Sequence, residues 1–176
     1  MQPAAGPANL HGYEARGGVR RVRGGRFPRL LRAAYLLCGN PHTAEDLAQT
    51  TLTKVFASWR RISHRDAVHA YATRTLVNTY LAEKRRKSSN EVITSQLPEP
   101  AILPPSPELR MVVLDALATL PPKSRVIVVM RYWADMSVEE VAQLLGCSTG
   151  NVKSQSSRAL EKFRIALAET GGERLG

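Results

Sequence analysis

Apolar residues recur at helical spacing on both sides of Gly146. Val138, Val141, Ala142 and Leu145 precede it, and Val152, Ser156, Ala159, Leu160, Phe163 and Leu167 come after it as one mostly apolar stripe. Ser137, three residues ahead of Glu140, has the spacing of a capping box: the hydroxyl accepts from the backbone at Glu140 and the carboxylate reaches back to the first free N–H. Gly146 can take the left-handed conformation that ends a helix, Cys147 and Ser148 complete the turn, and Ser148 or Thr149 can cap the second helix. The spacing predicts a helix-turn-helix from Ser137 to Leu167. Its second helix turns Asn151, Lys153, Ser154, Gln155, Ser157, Arg158 and Lys162 the other way, donor-rich side chains that reach phosphates and major-groove base edges. A plain helical hairpin with a solvated face is the bland alternative. The Gly-Cys-Ser turn leaves almost no slack and the chain is basic, and both favour DNA.

The same periodicity marks three helices upstream. Leu30, Leu31, Ala34, Tyr35, Leu37 and Cys38 form an apolar face that Gly39-Asn40-Pro41 breaks. A second helix starts at Asn40 before Pro41, or at Thr43 with Asp46 as its capping box. Leu47 or Ala48, Leu52, Val55, Phe56 and Trp59 give it a core stripe, and Glu45, Gln49 and Lys54 stand on its opposite side. A loop holding Arg60, Arg61, His64 and Arg65 leads to a third helix from about Asp66 to Lys84. This helix turns Val68, Ala72, Leu76 and Thr79 inward and Tyr71, Arg74 and Asn78 outward. It runs out into Lys84-Arg85-Arg86-Lys87, which suits phosphate contact, although such runs are commonly just solvated.

Between Ser88 and Pro107 periodicity stops and prolines accumulate, which predicts an extended linker whose only ionised side chains are Glu91 and Glu99. Ser106-Pro107-Glu108 then reads as cap, first-turn proline and first-turn acid, opening a helix with Leu109, Val113, Ala116, Leu117 and Leu120 on one side. Pro121-Pro122 ends it, and a further helix, about Lys123 to Trp133, presents Val126, Ile127, Met130 and Trp133. The expected fold is all-α: two small helical domains, 28–87 and 108–170, joined by an extended Pro-rich linker over 88–107, with a C-terminal helix-turn-helix. A basic, mostly disordered Gly/Arg-rich tail (1–27) and a short C-terminal tail (171–176) flank them.

Charge narrows the partners. With 176 residues and a formal net charge of +10, the chain favours a polyanion, and nucleic acid leads over an acidic membrane surface. No apolar run approaches the roughly 20 residues needed to span a bilayer, and no signal-peptide pattern comes after the basic start, so a cytoplasmic protein without a membrane role is expected. Cys38 and Cys147 are far apart, without ligand spacing, and read as small buried thiols; His64 and His69 lack partners at ligand spacing. No metal, cofactor or Gly-rich phosphate loop is predicted, and no enzyme.

Four motifs in one order carry a resemblance: AEDLAQ in the second helix, RTLVN in the third, LATLPPKSRVIVVMRY before the helix-turn-helix, and SVEEVAQLLGCSTGNVKSQSSRAL within it. With these and an AYLLCGN first helix, the chain from about Pro28 to Leu167 resembles the extracytoplasmic-function sigma factors of bacteria, in particular an actinobacterial subgroup. The resemblance implies a subunit that binds core RNA polymerase, recognises the −35 and −10 elements of promoter DNA and assists melting. Glu45, Asp46 and Gln49 would dock on the clamp helices of the largest polymerase subunit, and the C-terminal domain on the flap of the second-largest. Tyr71, Arg74, Asn78, Arg85 and Arg86 would handle the −10 element, with the Trp59 to Asp66 loop holding a flipped base. Asn151, Lys153, Ser154, Gln155, Ser157 and Arg158 would read the −35 element. Gln155 departs from the family, which usually has a basic residue there, and adenine would suit it. The glycines among the N-terminal arginines are a second departure, implying a shortened or frayed first helix. An anti-sigma factor is a common regulator in the family, and no residue here identifies one. The rival is a two-domain helix-turn-helix regulator whose N-terminal helices dimerise or bind a ligand.

Overall fold

The computed structural model describes residues 27–62, 67–87 and 106–175. The tail before Phe27, positions 63–66 of the basic loop and the linker from 88 to 105 lie outside the described residues. Seven α-helices make up the described chain: α1 (Phe27–Cys38), α2 (Pro41–Ala57), α3 (Ala67–Lys87), α4 (Pro107–Ala118), α5 (Pro122–Tyr132), α6 (Val138–Leu145) and α7 (Thr149–Leu175). A 3₁₀ turn, Trp59–Arg61, succeeds α2, and no strand occurs among the described residues.

The first three helices pack on one another. Gly39 turns the chain out of α1 at φ +73, a conformation side chains with a Cβ avoid. Asn40 then caps α2, its side-chain oxygen accepting from the Thr43 N–H at 3.1 Å, with Pro41 in the first turn. Leu47, Val55, Val68, Ala72, Leu76 and Tyr80 are buried between the helices. Two sequence expectations fail in α2, both for angular reasons. Phe56 is 52% exposed rather than in the core. At about 100° per residue it lies roughly 20° from both Glu45 and Gln49, on their open face. Lys54 lies about 180° from Glu45, and its ammonium donates to Thr79 Oγ1 of α3 at 2.9 Å instead of standing beside that acid. Helix α3 also continues past Lys84 to Lys87, so the basic run is helical.

In the C-terminal half, Ser106 caps α4 by accepting from Leu109 N–H at 3.3 Å. Val112, Ala116, Leu117 and Leu120 take the buried line; Val113 is only half-buried and Leu109, in the first turn, is 41% exposed, against the sequence expectation. The capping box at Ser137 and Glu140 is formed in both directions, at 3.0 and 2.6 Å. Gly146 adopts φ 63, ψ 42, the left-handed stop expected of it. Ser148, not Thr149, caps α7, accepting from Asn151 N–H at 3.2 Å. Helix α7 runs to Leu175, beyond the expected end near 170, and packs back along α4. Trp133 meets Phe163 edge to face at 5.9 Å between ring centroids. Cys38 and Cys147 are half-buried rather than fully buried, and neither forms a disulfide.

The two halves are not independent. Their buried apolar residues form one contiguous cluster from Leu30 to Ala166, with α1 against α4 and α5 and α3 against α5. At the seam lies Arg125, 8% exposed, whose guanidinium donates to the carbonyls of Leu37 (2.9 Å), Ala118 (2.9 Å) and Leu120 (3.3 Å). The Leu37 carbonyl belongs to the last turn of α1 and the Ala118 carbonyl to the last turn of α4, so the buried cation sits at the negative ends of two helix dipoles.

Candidate nucleic-acid interface

Two faces collect the donor-rich side chains. On α3, Tyr71, Arg74, Asn78 and Arg85 recur at helical spacing on the side turned away from Val68, Ala72, Leu76 and Val77. Arg74, Asn78, Arg85 and Arg86 are exposed. Tyr71 is half-buried, its hydroxyl donating to Ser58 Oγ at 2.8 Å. Arg61 and Ile62, from the turn after α2, line the same groove as Tyr71 and Arg74, which thus combines an aromatic ring with two guanidinium groups. Bases can stack on such a ring while the cations take phosphates.

The second face lies on α7. Burial of Val152, Ser156, Ala159 and Phe163 against α4, α5 and α6 fixes its rotation. Asn151, Lys153, Ser154, Ser157 and Arg158 therefore project outward, all exposed. Gln155 is half-buried, and its amide donates to Asn151 Oδ1 at 2.7 Å. Helix α6 braces the N-terminal end of this face. Its Glu140 carboxyl is held below the usual glutamate range by the Ser137 backbone N–H and then by the Ser137 hydroxyl, so it is an anion at neutral pH.

A third surface is acidic and polar. Glu45, Asp46 and Gln49 are exposed on α2 because Ala44, Leu47, Ala48, Thr51 and Val55 turn inward. His42 Nε2 lies 3.6 Å from Asp46, a contact that becomes an ion pair when the imidazole is protonated. Phe56 extends this surface with an aromatic ring that the apolar pattern of α2 places in the core.

The N-terminal end of the α3 face, at Tyr71 and Arg74, borders the C-terminal half. It forms one wall of a groove of ≈ 810 Å³ whose other wall comes from the C-terminal half: Met136, Glu140, Gln143 and Leu144 stand across from Arg61, Tyr71 and Arg74. None of those four was legible as a neighbour of α3, since the contact joins positions far apart in sequence. Tyr80 is 1% exposed, with the Arg125 side chain beside it. Burial pushes its pKa from 10.0 up to about 12, a rise that the nearby Arg125 charge reduces and Cys38 adds to. Among the described residues no group of three or more His, Cys, Asp or Glu side chains could hold a metal ion, and no helix is long and apolar enough to cross a membrane.

Comparison with known proteins finds a family match in each half. Residues 26–90 match the sigma-70 region 2 family and residues 110–163 the sigma-70 region 4 family. The RNA polymerase sigma-E factor of Streptomyces coelicolor is 39% identical over 140 residues, covering 78% of this chain and 79% of the relative. The extracytoplasmic-function sigma factor SigE of Mycolicibacterium smegmatis is 30% identical over 154 residues, 82% of this chain and 60% of the relative. Among solved structures, the sigma factor RpoE of Bartonella quintana, crystallised with the anti-sigma factor NepR, superposes with a TM-score of 0.66 at 25% identity, over 81% of this chain and 91% of that one.

Proposed function

The chain belongs to the extracytoplasmic-function sigma factors of the sigma-70 family, which direct RNA polymerase to promoters, and on that premise we propose how its side chains divide the work. The 28–87 unit engages core polymerase and the −10 element; the 108–170 unit reads the −35 element. Glu45, Asp46 and Gln49 dock on the clamp helices of the largest subunit, and the C-terminal unit meets the flap of the second-largest. Tyr71, Arg74 and Asn78 hold the non-template strand of the −10 element, while Arg85 and Arg86 take phosphates from the helical end of α3. Unstacking a base costs a few kcal/mol, which stacking on Tyr71 and phosphate contacts offset. On α7, Lys153 and Arg158 supply phosphate and guanine contacts. Asn151, Ser154, Gln155 and Ser157 supply shorter polar ones, with Gln155 suited to adenine. We further propose a cytoplasmic protein that an anti-sigma factor can regulate.

The observation that carries this reading is the pairing of two outward polar faces, on α3 and α7, each held in rotation by a buried apolar line. The test is run-off transcription with purified core polymerase on a genomic-fragment library. Starts that appear only with this protein and share two elements about two helical turns apart support the reading. Binding of DNA as a dimer without new starts would replace it with a two-domain regulator.

A further inference from the structure

Two of the outward side chains of α7 are hydrogen-bonded to each other. The Gln155 amide donates to Asn151 Oδ1 at 2.7 Å, one turn earlier on the helix. Asn151 is itself held at the start of α7, because its backbone N–H donates to the capping Ser148 Oγ at 3.2 Å. At about 100° per residue, Gln155 lies roughly 40° from Asn151 and Arg158 roughly 20° from it on the other side, so the three share one stripe. Gln155 is half-buried while Asn151 and Arg158 are exposed, which leaves the longer amide less rotamer freedom to lose at a base.

A free glutamine amide has two N–H donors and one carbonyl acceptor. It can pair with adenine, accepting from N6–H and donating to N7, or turn its NH2 toward guanine, whose O6 and N7 both accept. The bond to Asn151 removes that choice. One N–H is spent, and turning the amide over would bring its oxygen against Asn151 Oδ1. What remains is one acceptor beside one donor, a pattern that complements adenine and sets an acceptor against guanine O6. We propose that Asn151 is a positioning residue for base selection: it orients the Gln155 amide so that the −35 contact accepts adenine and rejects guanine. The proposal rests on the assignment of the α7 face to the −35 element. Asn151 acts through Gln155 and does so before DNA arrives, since the bond is present in the free chain. Selectivity here comes from a donor withheld.

The test uses holoenzyme assembled from purified core polymerase and the full chain, on a promoter library randomised across the −35 element, with transcripts sequenced to give the base preference at each position. The parent protein should favour adenine over guanine at one position by about tenfold. Gln155→Ala should abolish that preference and leave those at other positions in place. Asn151→Ala should lower the ratio at the same position to about threefold or less by raising guanine, because Gln155 regains its second donor. Asn151→Asp, which can only accept, should restore the parent ratio while weakening transcription across the library through repulsion of phosphates. A parent that favours guanine at the Gln155 position, or a ratio that Asn151→Ala leaves at the parent value, overturns the pairing. A change at a different position only would make Asn151 a reader of its own base and overturn its positioning role. A Gln155→Ala variant that keeps every preference overturns the proposal and leaves the −35 assignment to the other α7 residues. Promoter-dependent starts with no base preference anywhere remove the −35 assignment, and the proposal with it.

Discussion

The Tyr71 hydroxyl donates to Ser58 Oγ at 2.8 Å, tying the N-terminal end of the α3 face to the buried C-cap of α2. Since Ser58 is buried, the bond fixes the ring at the groove mouth at little entropic cost to a side chain already half-covered. Tyr71→Phe and Ser58→Ala should each lower stability in urea by about 1 kcal/mol. The double variant should lose less than the sum, giving a coupling of about 0.5 kcal/mol or more. Strictly additive losses would mean that the two hydroxyls do not bond in solution.

Phe56 shares its helix face with Glu45 and Gln49 and is 52% exposed. An exposed aromatic in a polar surround is a common anchor in protein interfaces. Phe56→Ala should leave thermal unfolding nearly unchanged and weaken binding to core polymerase by about 1–2 kcal/mol, roughly tenfold, in a fluorescence competition assay. A large fall in melting temperature with unaltered core affinity would return the ring to a structural role.

Tyr80 supplies a pH signature. Its pKa rises from 10.0 to about 12 on folding, mainly through burial, so its contribution to stability is complete below pH 10 and declines as pH rises towards 12. At 1.36 kcal/mol per pK unit the loss at pH 11 is on the order of 1 kcal/mol. Tyr80→Phe, whatever its own stability at neutral pH, should show a shallower decline between pH 9 and 11. Parallel curves for the two proteins would assign the alkaline loss to other groups.

The two polar faces are separable by function. Arg158→Ala should weaken −35 duplex binding and reduce the salt slope by about one counterion. Asn78→Ala should impair promoter opening, read by permanganate footprinting, while core binding holds. Unchanged promoter affinity in the first variant removes Arg158 from the contact set, and loss of core binding in the second reassigns Asn78.

Most elements were legible because their signals are local. The capping box at Ser137, the Asn40 cap before Pro41 and the left-handed Gly146 each depend on residues within four positions, and each formed as its spacing requires. Face assignment was weaker where an apolar residue sits on a binding surface: Phe56 satisfies the core pattern in composition but not in angle. Lys54 misled for the converse reason, since a long side chain can cross to a neighbouring helix and end on Thr79. The candidate DNA residues were readable as faces, yet the groove was not. Met136, Glu140 and Gln143 reach the α3 face only through a contact between halves of the chain, and no periodicity encodes that.

The Arg125 contact has a consequence for how this chain tolerates change. Ordinary domain contacts depend on matched side chains, and drift on either surface erodes them. Here one partner in the contact is the bare main chain, the last-turn carbonyls of Leu37 and Ala118 that the ends of α1 and α4 leave open. A carbonyl has no identity to lose by substitution. The polar contact at the seam therefore depends on the Arg125 side chain alone, beside the apolar packing of α1 on α4 and α5.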